Sequence, residues 1–201
     1  MKHSLVATAL LLAGAGTAHA ADRCKWEAQT RSEDKGRIAM QFSDARQRLA
    51  TLRGSALDRR SAEAARSLLR RADKPLALGS ISGRWQVRSL QFTDFPGDGD
   101  FGYAYPFFKA TISDPPGCGL RFAKTSGSQR RAGGLYAMPN DLRALAFLGA
   151  KTVNNDPVLA YDPDSDNDAN SVGRRVRIGR NELLMLLDYD GRGFELYHLR
   201  R

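Results

Sequence analysis

Residues Leu183–Leu199 have the sequence LLMLLDYDGRGFELYHL, and this stretch decides the fold. Two apolar runs flank the segment Asp190-Gly191-Arg192-Gly193, which supplies residues that tolerate the positive φ angles of a tight hairpin. The stretch therefore predicts two antiparallel strands that pair with each other near the end of the chain.

Upstream of this hairpin, a similar pattern extends back to Gly79. Apolar residues recur with a period of two, and turn residues interrupt the chain roughly every 8 to 12 residues, as in antiparallel sandwiches and barrels. The predicted strands begin near Ile81, Tyr103, Leu120, Gly134, Arg143, Val158, Val172, Leu183 and Phe194. We expect a mainly β protein, α+β overall, in which residues 79–201 form an antiparallel barrel or sandwich of about eight strands.

Residues 21–78 form the second predicted unit, which is helical. Apolar residues recur at steps of three and four between Ser32 and Asp73. Gly54 predicts the turn of a helical hairpin, Ser55-Ala56-Leu57-Asp58 has the form of a capping box for its second helix, and Lys74-Pro75 ends that helix. The apolar face of the first helix comprises Ile38, Phe42, Ala45, Leu49 and Leu52.

Residues 1–20 have the features of an export signal. A charged start at Lys2 precedes an apolar run from Leu5 to Ala13, and Ala18-His19-Ala20 suits signal peptidase. The apolar run is too short to span a bilayer core of about 30 Å. We expect cleavage at Ala20/Ala21, no transmembrane anchor, and a periplasmic or secreted protein.

The charge balance is basic, with 31 Lys and Arg against 22 Asp and Glu and a formal net charge of +9. In an exported protein, this charge favours lipid headgroups, acidic cell-wall polymers and other anionic partners over nucleic acid. Because the arginines are spread along the chain, a coding preference explains the bias as well. The oligomeric state has no signature in the sequence.

Two cysteines, Cys24 and Cys118, lie outside the predicted signal. In an oxidising compartment they are expected to form a disulfide. The bond would tie the start of the mature chain to the turn at Pro115-Pro116-Gly117. Cys24 is separated from the apolar run by several residues, which does not match the cysteine of a lipoprotein signal.

Few catalytic chemistries remain open. His198 is the only histidine outside the predicted signal, which excludes histidine-cluster zinc sites and leaves a structural imidazole as the simplest interpretation. The expected disulfide removes free thiolates. Paired carboxylates remain, with Asp94, Asp98, Asp100 and Glu195 as candidates, although a solvated β surface would also place acids at these positions.

One segment suggests a metal. Asp162, Asp164, Asp166 and Asp168 alternate, which is the spacing with which calcium loops converge oxygen ligands. Two positions of the EF-hand pattern are missing, among them the glycine where Asn167 stands. The interpretations are a calcium loop or a solvated turn, and no other cofactor is predicted.

The segment Gly127-Ser128-Gln129-Arg130-Arg131 is the richest cluster of glycine and polar residues. Glycines allow backbone N–H groups to approach an anion, and arginines form forked contacts with carboxylates and phosphates. A β-turn in which Arg130 neutralises a neighbouring carboxylate is the structural alternative. The predicted ligand-binding residues are Tyr105, Ser128, Gln129, Arg130 and Arg131.

Gly83-Arg84-Trp85 opens the first predicted strand, and Arg200 closes the last one. This pattern resembles that of lipocalins, in which a tryptophan of the first strand packs across the closed end of the barrel beneath an arginine of the final strand. The resemblance implies a calycin-like barrel from Gly83 to Arg200. It concerns architecture and not cargo.

A wider resemblance covers most of the chain after the predicted signal. Its most specific segments are Tyr105-Pro106-Phe107-Phe108 and Gly127-Ser128-Gln129-Arg130, with further likeness at Gly134-Leu135-Tyr136, Phe147-Leu148-Gly149 and Phe194-Glu195-Leu196. On these residues the chain resembles the exported bacterial family called domain of unknown function 4893. The resemblance implies a small secreted domain without an established activity. Members often have a cysteine where Ala110 stands, so a disulfide between Cys24 and Cys118 would be peculiar to this chain.

Three functions are consistent with these observations. The first is a non-enzymatic binding protein for a small amphipathic or anionic ligand. The alternative is a protein-protein interaction or inhibitor module of the cell envelope, which would present an exposed arginine-rich loop to its partner. The second alternative is a carboxylate-based hydrolase, which requires two buried acids about 5 to 10 Å apart in a cleft.

Overall fold

The computed structural model describes residues 24–95, 99–154, 156–165 and 168–201. The predicted export signal and its cleavage site at Ala20/Ala21 lie outside the described residues. After a 3-10 turn at Trp26–Gln29, the helices are α1 Ser32–Ala39, α2 Phe42–Thr51 and α3 Arg59–Ala72. The strands are β1 Gly83–Phe95, β2 Gly99–Ala104, β3 Phe108–Ser113, β4 Leu120–Lys124, β5 Gln129–Ala137, β6 Ala144–Val153, β7 Asn170–Gly179, β8 Glu182–Leu187 and β9 Gly193–Arg200.

The strands form a closed antiparallel barrel. Strands β3 to β9 pair in chain order, and β9 returns to β1, for example at Leu90↔Leu196. Strands β2 and β3 pair successively along the same side of the long β1, at Phe92↔Gly102 and Val87↔Phe108, and therefore share one position around the barrel. The barrel has eight strand positions, which confirms the expected fold class.

The predicted hairpin at the end of the chain is present. Strand β8 ends at Leu187 and β9 begins at Gly193. The Asp190 carboxylate accepts hydrogen bonds from the backbone N–H groups of Arg192 (2.8 Å) and Gly193 (2.7 Å). Gly191 has a φ of +85°, a conformation that glycine adopts without steric cost.

One hydrophobic core fills the barrel. Alternate residues of each strand point inward, which is the period-two arrangement of a barrel wall. The buried apolar residues of this interior core are Ile81, Trp85, Val87, Ala110, Ile112, Phe122, Leu135, Leu145, Phe147, Leu183, Met185, Leu187, Tyr197 and Leu199.

A second core lies between the helices and the outer surface of the barrel. Outward-facing residues such as Leu184, Leu186 and Leu196 pack against the apolar faces of the helices. The expected helix residues Ile38, Phe42, Ala45, Leu49 and Leu52 are all buried here. Strand β8 therefore has no solvated face, which explains why LLMLL is continuously apolar instead of alternating.

The helical segment differs from the sequence prediction in two places. The first helix is interrupted at Met40 and Gln41, where the Asp44 carboxylate accepts a hydrogen bond from the Gln41 N–H (2.8 Å) and begins a new helix. Helix α3 is capped by Asp58, whose carboxylate accepts a hydrogen bond from the Ser61 N–H (2.7 Å). The prediction of a capping box that begins at Ser55 is therefore wrong. The physical reason is that the residues before Asp58 pair with the edge of β2.

The edge of β2 is covered by this short segment. The Asp58 N–H donates to the Gly102 carbonyl (2.9 Å). In return, the Gly102 N–H donates to the Ala56 carbonyl (3.3 Å), and the Asp100 N–H donates to the Arg53 carbonyl (3.1 Å). Gly54 turns the chain with a φ of +139°. The strand edge is thereby protected from pairing with another chain.

The prediction of a strand near Val158 is wrong, since residues 156–165 form an irregular connection between β6 and β7. Val158 and Leu159 are exposed there. Their apolar character resembles that of a strand, but the neighbouring strands β6 and β7 already pair directly with each other.

The tryptophan of the Gly83-Arg84-Trp85 pattern is buried at one end of the barrel, and its Nε1 donates to the Ile81 carbonyl (2.9 Å). The guanidinium above its ring belongs to Arg201, 4.4 Å from the ring centroid. Arg200, which the sequence pattern suggested, lies over Phe107 instead, at 3.8 Å. Successive residues of a strand face opposite sides of the sheet. The residue after Leu199 that shares its interior face is therefore Arg201 and not Arg200.

Cys24 and Cys118 form the expected disulfide, with a Cα–Cα distance of 5.0 Å and a sequence separation of 94. The bond fastens the chain before the first helix to the turn that connects β3 and β4. It therefore joins the helical segment to the barrel wall.

We expect Leu69→Ala to lower the free energy of unfolding by about 3 kcal/mol, because the substitution opens a cavity between α3 and the barrel. Leu69 is 0 % exposed in the outer core. Urea unfolding measures the effect. Leu142→Ala is the matched control, since Leu142 is 85 % exposed and its loss should be nearly neutral. Equal effects of the two substitutions would contradict this packing.

Candidate functional site

The barrel has a polar opening, which we call the barrel mouth. It is a cavity of about 280 Å³ at one end of the interior core. Strands β1, β5, β6 and β9 supply its lining residues, which are Gln91, Gln129, Arg130, Arg131, Lys151, Thr152, Val153, Glu195 and Tyr197. The mouths of β-barrels are common positions for ligand sites.

Arg131 lies at the centre of the barrel mouth. Its guanidinium is paired with two carboxylates, Asp188 (2.5 Å) and Glu195 (2.8 Å), and its side chain is only 3 % exposed. The group also lies 5.0 Å from the centroid of the Tyr197 ring. Side chains from β5 and β9 and from Asp188, which directly follows β8, thus meet in one charge network around a buried guanidinium.

Asp188 reaches this network through an unusual backbone conformation. It follows Leu187, which faces inward, so strict alternation would place its side chain outside. Its φ of +51° interrupts the alternation, and its carboxylate accepts from Ser171 Oγ (2.9 Å) inside the barrel. Positive φ is uncommon for aspartate, and the ion pair with Arg131 offsets its cost.

Glu195 is also held on several sides. Its carboxylate accepts a hydrogen bond from Ser89 Oγ (2.5 Å) and from Gln91 Nε2 (3.4 Å) in addition to Arg131. Gln91 Nε2 also donates to Gln129 Oε1 (3.3 Å). These contacts fix the polar side chains before any ligand arrives.

Lys124 is a further buried cation next to the network. It is 6 % exposed, and its Nζ donates to the Gln129 carbonyl and lies 4.5 Å from the centroid of the Phe108 ring. Burial lowers the pKa of the Lys124 amine, and burial raises the pKa of the Tyr197 phenol well above its ordinary value.

The mouth network carries an excess of positive charge. Its described cations are Lys124, Arg131 and Lys151, whereas its described carboxylates are Asp188 and Glu195. Burial alone would raise the pKa of Asp188, but Arg131 and Lys151 outweigh it and hold that pKa below its ordinary value. Cationic side chains therefore outnumber carboxylates in this network, and an anion entering the mouth meets a net positive field.

The structure brings three of the five predicted ligand residues together. Gln129, Arg130 and Arg131 line the barrel mouth. Ser128 does not line it and instead accepts a hydrogen bond at its carbonyl from the Asn154 N–H (2.7 Å). Tyr105 packs edge-on against Tyr103, with ring centroids 5.1 Å apart, and does not line the mouth either.

Sequence reasoning missed Lys124, Lys151 and Asp188. Lys124 and Lys151 have a weak sequence signal, because each occupies one of the alternate strand positions that face inward, on a strand next to the predicted polar cluster. Asp188 has none, since its inward position depends on the positive φ. The two carboxylates of the mouth, Asp188 and Glu195, are paired with Arg131, the residue that follows Arg130.

The predicted calcium segment is only partly described. Asp166 lies outside the described residues, and among those that the structure places, no three His, Cys, Asp or Glu side chains converge as a metal site. Asp162 Oδ1 accepts from the Asp164 N–H (3.0 Å), which is the local hydrogen bond of a turn. Calcium binding stays a prediction.

His198 is buried on the outer side of the barrel. Its Nε2 lies 3.0 Å from Glu182 Oε1, and Glu182 is also paired with Arg71. Burial lowers the pKa of this imidazole. The contacts join α3 to strands β8 and β9, which is a structural role.

Asp188 and Glu195 are two partly buried acids in a cleft, the arrangement closest to what a carboxylate-based hydrolase requires. Both, however, are paired with the same guanidinium. A general acid needs a raised pKa, whereas the pKa of Asp188 is lowered. Of the other candidates, Asp94 is paired with Arg48 (2.7 Å), and Asp98 lies outside the described residues.

In the part of the chain that the structure describes, none of the helices is long and apolar enough to cross a bilayer. The fold and the site together define a small β-barrel protein with a cationic, preorganised mouth. The chain belongs to the family described as Domain of unknown function (DUF4893), whose sequence model matches residues 26–192. This confirms the resemblance, although Cys24 and the Phe194-Glu195-Leu196 ending lie outside the matched residues. No curated protein and no solved structure matches the chain.

Proposed function

We propose that the protein is an exported binding protein, periplasmic or secreted, which takes a small anionic or amphipathic ligand into the barrel mouth. The observation that carries the proposal is the buried network around Arg131, in which three cations face two carboxylates beside a cavity of about 280 Å³. Export is supported by the signal pattern and by the disulfide.

The network supports binding because its polar groups are already fixed. Arg131, Glu195 and Gln91 are held by one another, so a ligand does not have to order them. Preorganisation of this kind reduces the entropic cost of association. Lys151 is 45 % exposed, and among the described residues its ion pair is with Asp188, which leaves its ammonium accessible from the cavity.

The size of the cavity limits the ligand. A volume of about 280 Å³ is close to the lower end of the usual range for small-molecule sites, which begins at about 300 Å³. The polar lining residues together with the Tyr197 ring favour a carboxylate attached to a short apolar or aromatic group. Because Arg131 is buried and paired, the cluster does not form the exposed arginine loop that an inhibitor module would present.

We expect benzoate to bind in the mouth and Lys151→Met to weaken its binding roughly three- to tenfold, since the substitution removes one charge-assisted contact. An amide-proton NMR titration of the disulfide-bonded protein measures this, and the shifts should be largest at residues 129–131 and 151–153. Arg84→Met is the matched control, because Arg84 is an exposed residue remote from the mouth lining and its loss changes the net charge equally.

Native mass spectrometry of the protein, purified from the periplasm without detergent, provides an independent test. A bound mass of a few hundred daltons is expected and would identify the ligand class. An empty protein, together with benzoate shifts that are absent or equal in the Lys151→Met variant, would overturn the proposal and favour an envelope interaction module.

A further inference from the structure

One part of the outer surface of the barrel faces solvent instead of the helices, and we call it the outer wall. It consists of the outward-facing residues of the first half of β1, of β3 and β4, and of the end of β9. Inward and outward residues alternate along these strands, and the inward ones belong to the interior core. The cations of the outer wall are Arg84, Arg88, Lys109, Arg121 and Arg200, of which Arg88 is half-buried and the others are exposed.

The strand register brings these cations together. Gln86 on β1 pairs with Arg200 of β9 on one side and with Lys109 of β3 on the other. Arg84 and Arg88 lie two positions before and after Gln86 and therefore share its face. The neighbouring cations of β1, β3 and β9 are thus about 8 to 10 Å apart, which is comparable with the Debye length of about 8 Å at physiological salt. Their fields add over the outer wall.

Carboxylates are absent from the outer wall. None of its outward positions, all of which the structure describes, carries Asp or Glu, and none of its five cations forms an ion pair with a described residue. Two carboxylates border it, namely Asp114 directly after β3 and Glu182 beside Arg200. Glu182 is already paired with Arg71 and in contact with His198. The positive charge of the outer wall is therefore largely uncompensated.

The arginines of the helical segment have a different arrangement. On α3, Arg66 and Arg70 both pair with Glu63 (3.4 and 3.9 Å). On α2, Arg48 pairs with Asp94 (2.7 Å). A coding preference for arginine would not remove the acids from one surface and keep them on another. The segregation of charge is therefore a property of the fold.

Phe107, directly before β3, holds two of the wall cations in place. The guanidinium of Arg200 lies 3.8 Å from the centroid of the Phe107 ring, and that of Arg88 lies 5.1 Å from it. Arg200 Nε also donates to Gln86 Oε1 (3.2 Å). Burial lowers the pKa of Arg88, and the neighbouring charge of Arg200 lowers it further. The fold thus keeps two like charges beside one ring, and an anion bound there would offset their repulsion.

We propose that the outer wall docks the protein on the surface of an anionic phospholipid bilayer, whose phosphate groups bind its guanidinium and ammonium groups. A bilayer presents many negative headgroups in one plane, which matches cations spread over one sheet face. Guanidinium groups form forked hydrogen bonds with phosphate. A protein partner would instead need aromatic or apolar anchors, and Phe107 is the one large apolar side chain among the described residues of the outer wall. The inference does not rest on the proposed function, since none of the five cations lines the barrel mouth.

Co-sedimentation of the disulfide-bonded protein with lipid vesicles tests the proposal. Vesicles of phosphatidylcholine mixed with phosphatidylglycerol are negatively charged, whereas vesicles of phosphatidylcholine alone are neutral. We expect binding to the mixed vesicles that weakens as salt is added, and no binding to the neutral ones. Each cation of the outer wall should contribute roughly fivefold to the partition coefficient.

Lys109→Gln combined with Arg200→Gln removes two exposed cations, and we expect this double variant to bind the mixed vesicles roughly 25-fold more weakly. Arg66→Gln combined with Arg70→Gln is the matched control with the same change in net charge. Both control arginines are already paired with Glu63, so the partition coefficient should fall by less than about threefold. Since all four side chains are at the surface, the urea midpoints should stay close to that of the wild type.

Equal losses in the two double variants would overturn the proposal, because net charge and not the outer wall would then set the binding. Absence of binding to the mixed vesicles would also overturn it, and binding to polyglutamate in that case would indicate an acidic polymer as the partner. If the Lys109 and Arg200 double variant does not fold, Arg121→Gln on β4 should still weaken binding roughly fivefold. Lys151→Met should bind within about twofold of the wild type, which separates the outer wall from the barrel mouth.

Discussion

Arg131→Met is expected to lower the free energy of unfolding by about 3 kcal/mol at pH 7, because it leaves two partly buried carboxylates without their shared cation. Asp188 and Glu195 are 20 % and 13 % exposed, and both are paired with Arg131. Methionine fills much of the same space, so the change in charge and hydrogen bonding dominates. Urea unfolding of the disulfide-bonded protein measures the difference.

The pH dependence of this variant has a definite sign. In the wild type the pKa of Asp188 is lowered, so the group contributes stability above its unfolded pKa, and this stability is lost only as the pH falls through the folded value. Without Arg131, less positive charge opposes the effect of burial on the pKa of Asp188, so this carboxylate takes up a proton more readily and the variant loses less stability than the wild type as the pH falls. The difference between wild type and variant should therefore narrow from pH 7 to pH 5.

Lys151→Met is the matched control for this experiment. Lys151 pairs with the same Asp188 (3.0 Å) but is 45 % exposed, so its loss should lower the free energy of unfolding by less than about 1 kcal/mol. If Arg131→Met has a similarly small effect, or if its deficit does not depend on pH, the buried network does not stabilise the barrel as argued above.

Loss of the disulfide is expected to have the second large effect. Cys118→Ser should lower the free energy of unfolding by up to about 4 to 5 kcal/mol, because the two cysteines have a sequence separation of 94 and the unlinked unfolded chain gains the entropy of that loop. Thermal unfolding followed by circular dichroism, or urea unfolding, measures the loss.

Cys24→Ser and the wild type treated with a reductant are the controls for this prediction. All three proteins lack the same covalent link, so their midpoints should coincide. A Cys118→Ser variant with the midpoint of the oxidised wild type would show that the link constrains nothing beyond the noncovalent contacts of the helical segment.

The two cores of this protein explain how its helices and barrel depend on each other. Strand β8 buries Leu183, Met185 and Leu187 in the barrel and Leu184 and Leu186 under the helices. A barrel without the helical segment would expose a large apolar surface on these strands. The disulfide at Cys24 strengthens this arrangement because it joins the start of the helical segment to the barrel.

Much of the fold was predictable because its signals are local. The DGRG turn and its flanking apolar runs specify β8 and β9 within one short stretch. The helix faces around Ile38 and Leu49 follow from spacing alone. The strand predicted near Val158 failed because local apolar character does not show whether a partner strand is available.

The candidate site was less predictable, since its residues come from distant strands. The Gly127 to Arg131 cluster indicated the correct part of the barrel, and parity along β5 separates Arg131, which faces inward, from Arg130. No pattern in the sequence indicates that Asp188 turns inward or that Glu195 meets the same guanidinium. These contacts exist only once the barrel closes.

By itself, the sequence determined the antiparallel β architecture, the helical face, the final hairpin, the pairing of the two cysteines and the family. Only the tertiary structure decided which face of each strand lies inside, which charges meet in the mouth, and that the Arg175 guanidinium is buried without a hydrogen-bond acceptor among the described residues. The physical reason is the range of the interactions. Periodicity and turn chemistry act over a few residues, whereas the barrel interior is created when β1 pairs with β9, at residues such as Leu90 and Leu196 that are more than 100 positions apart.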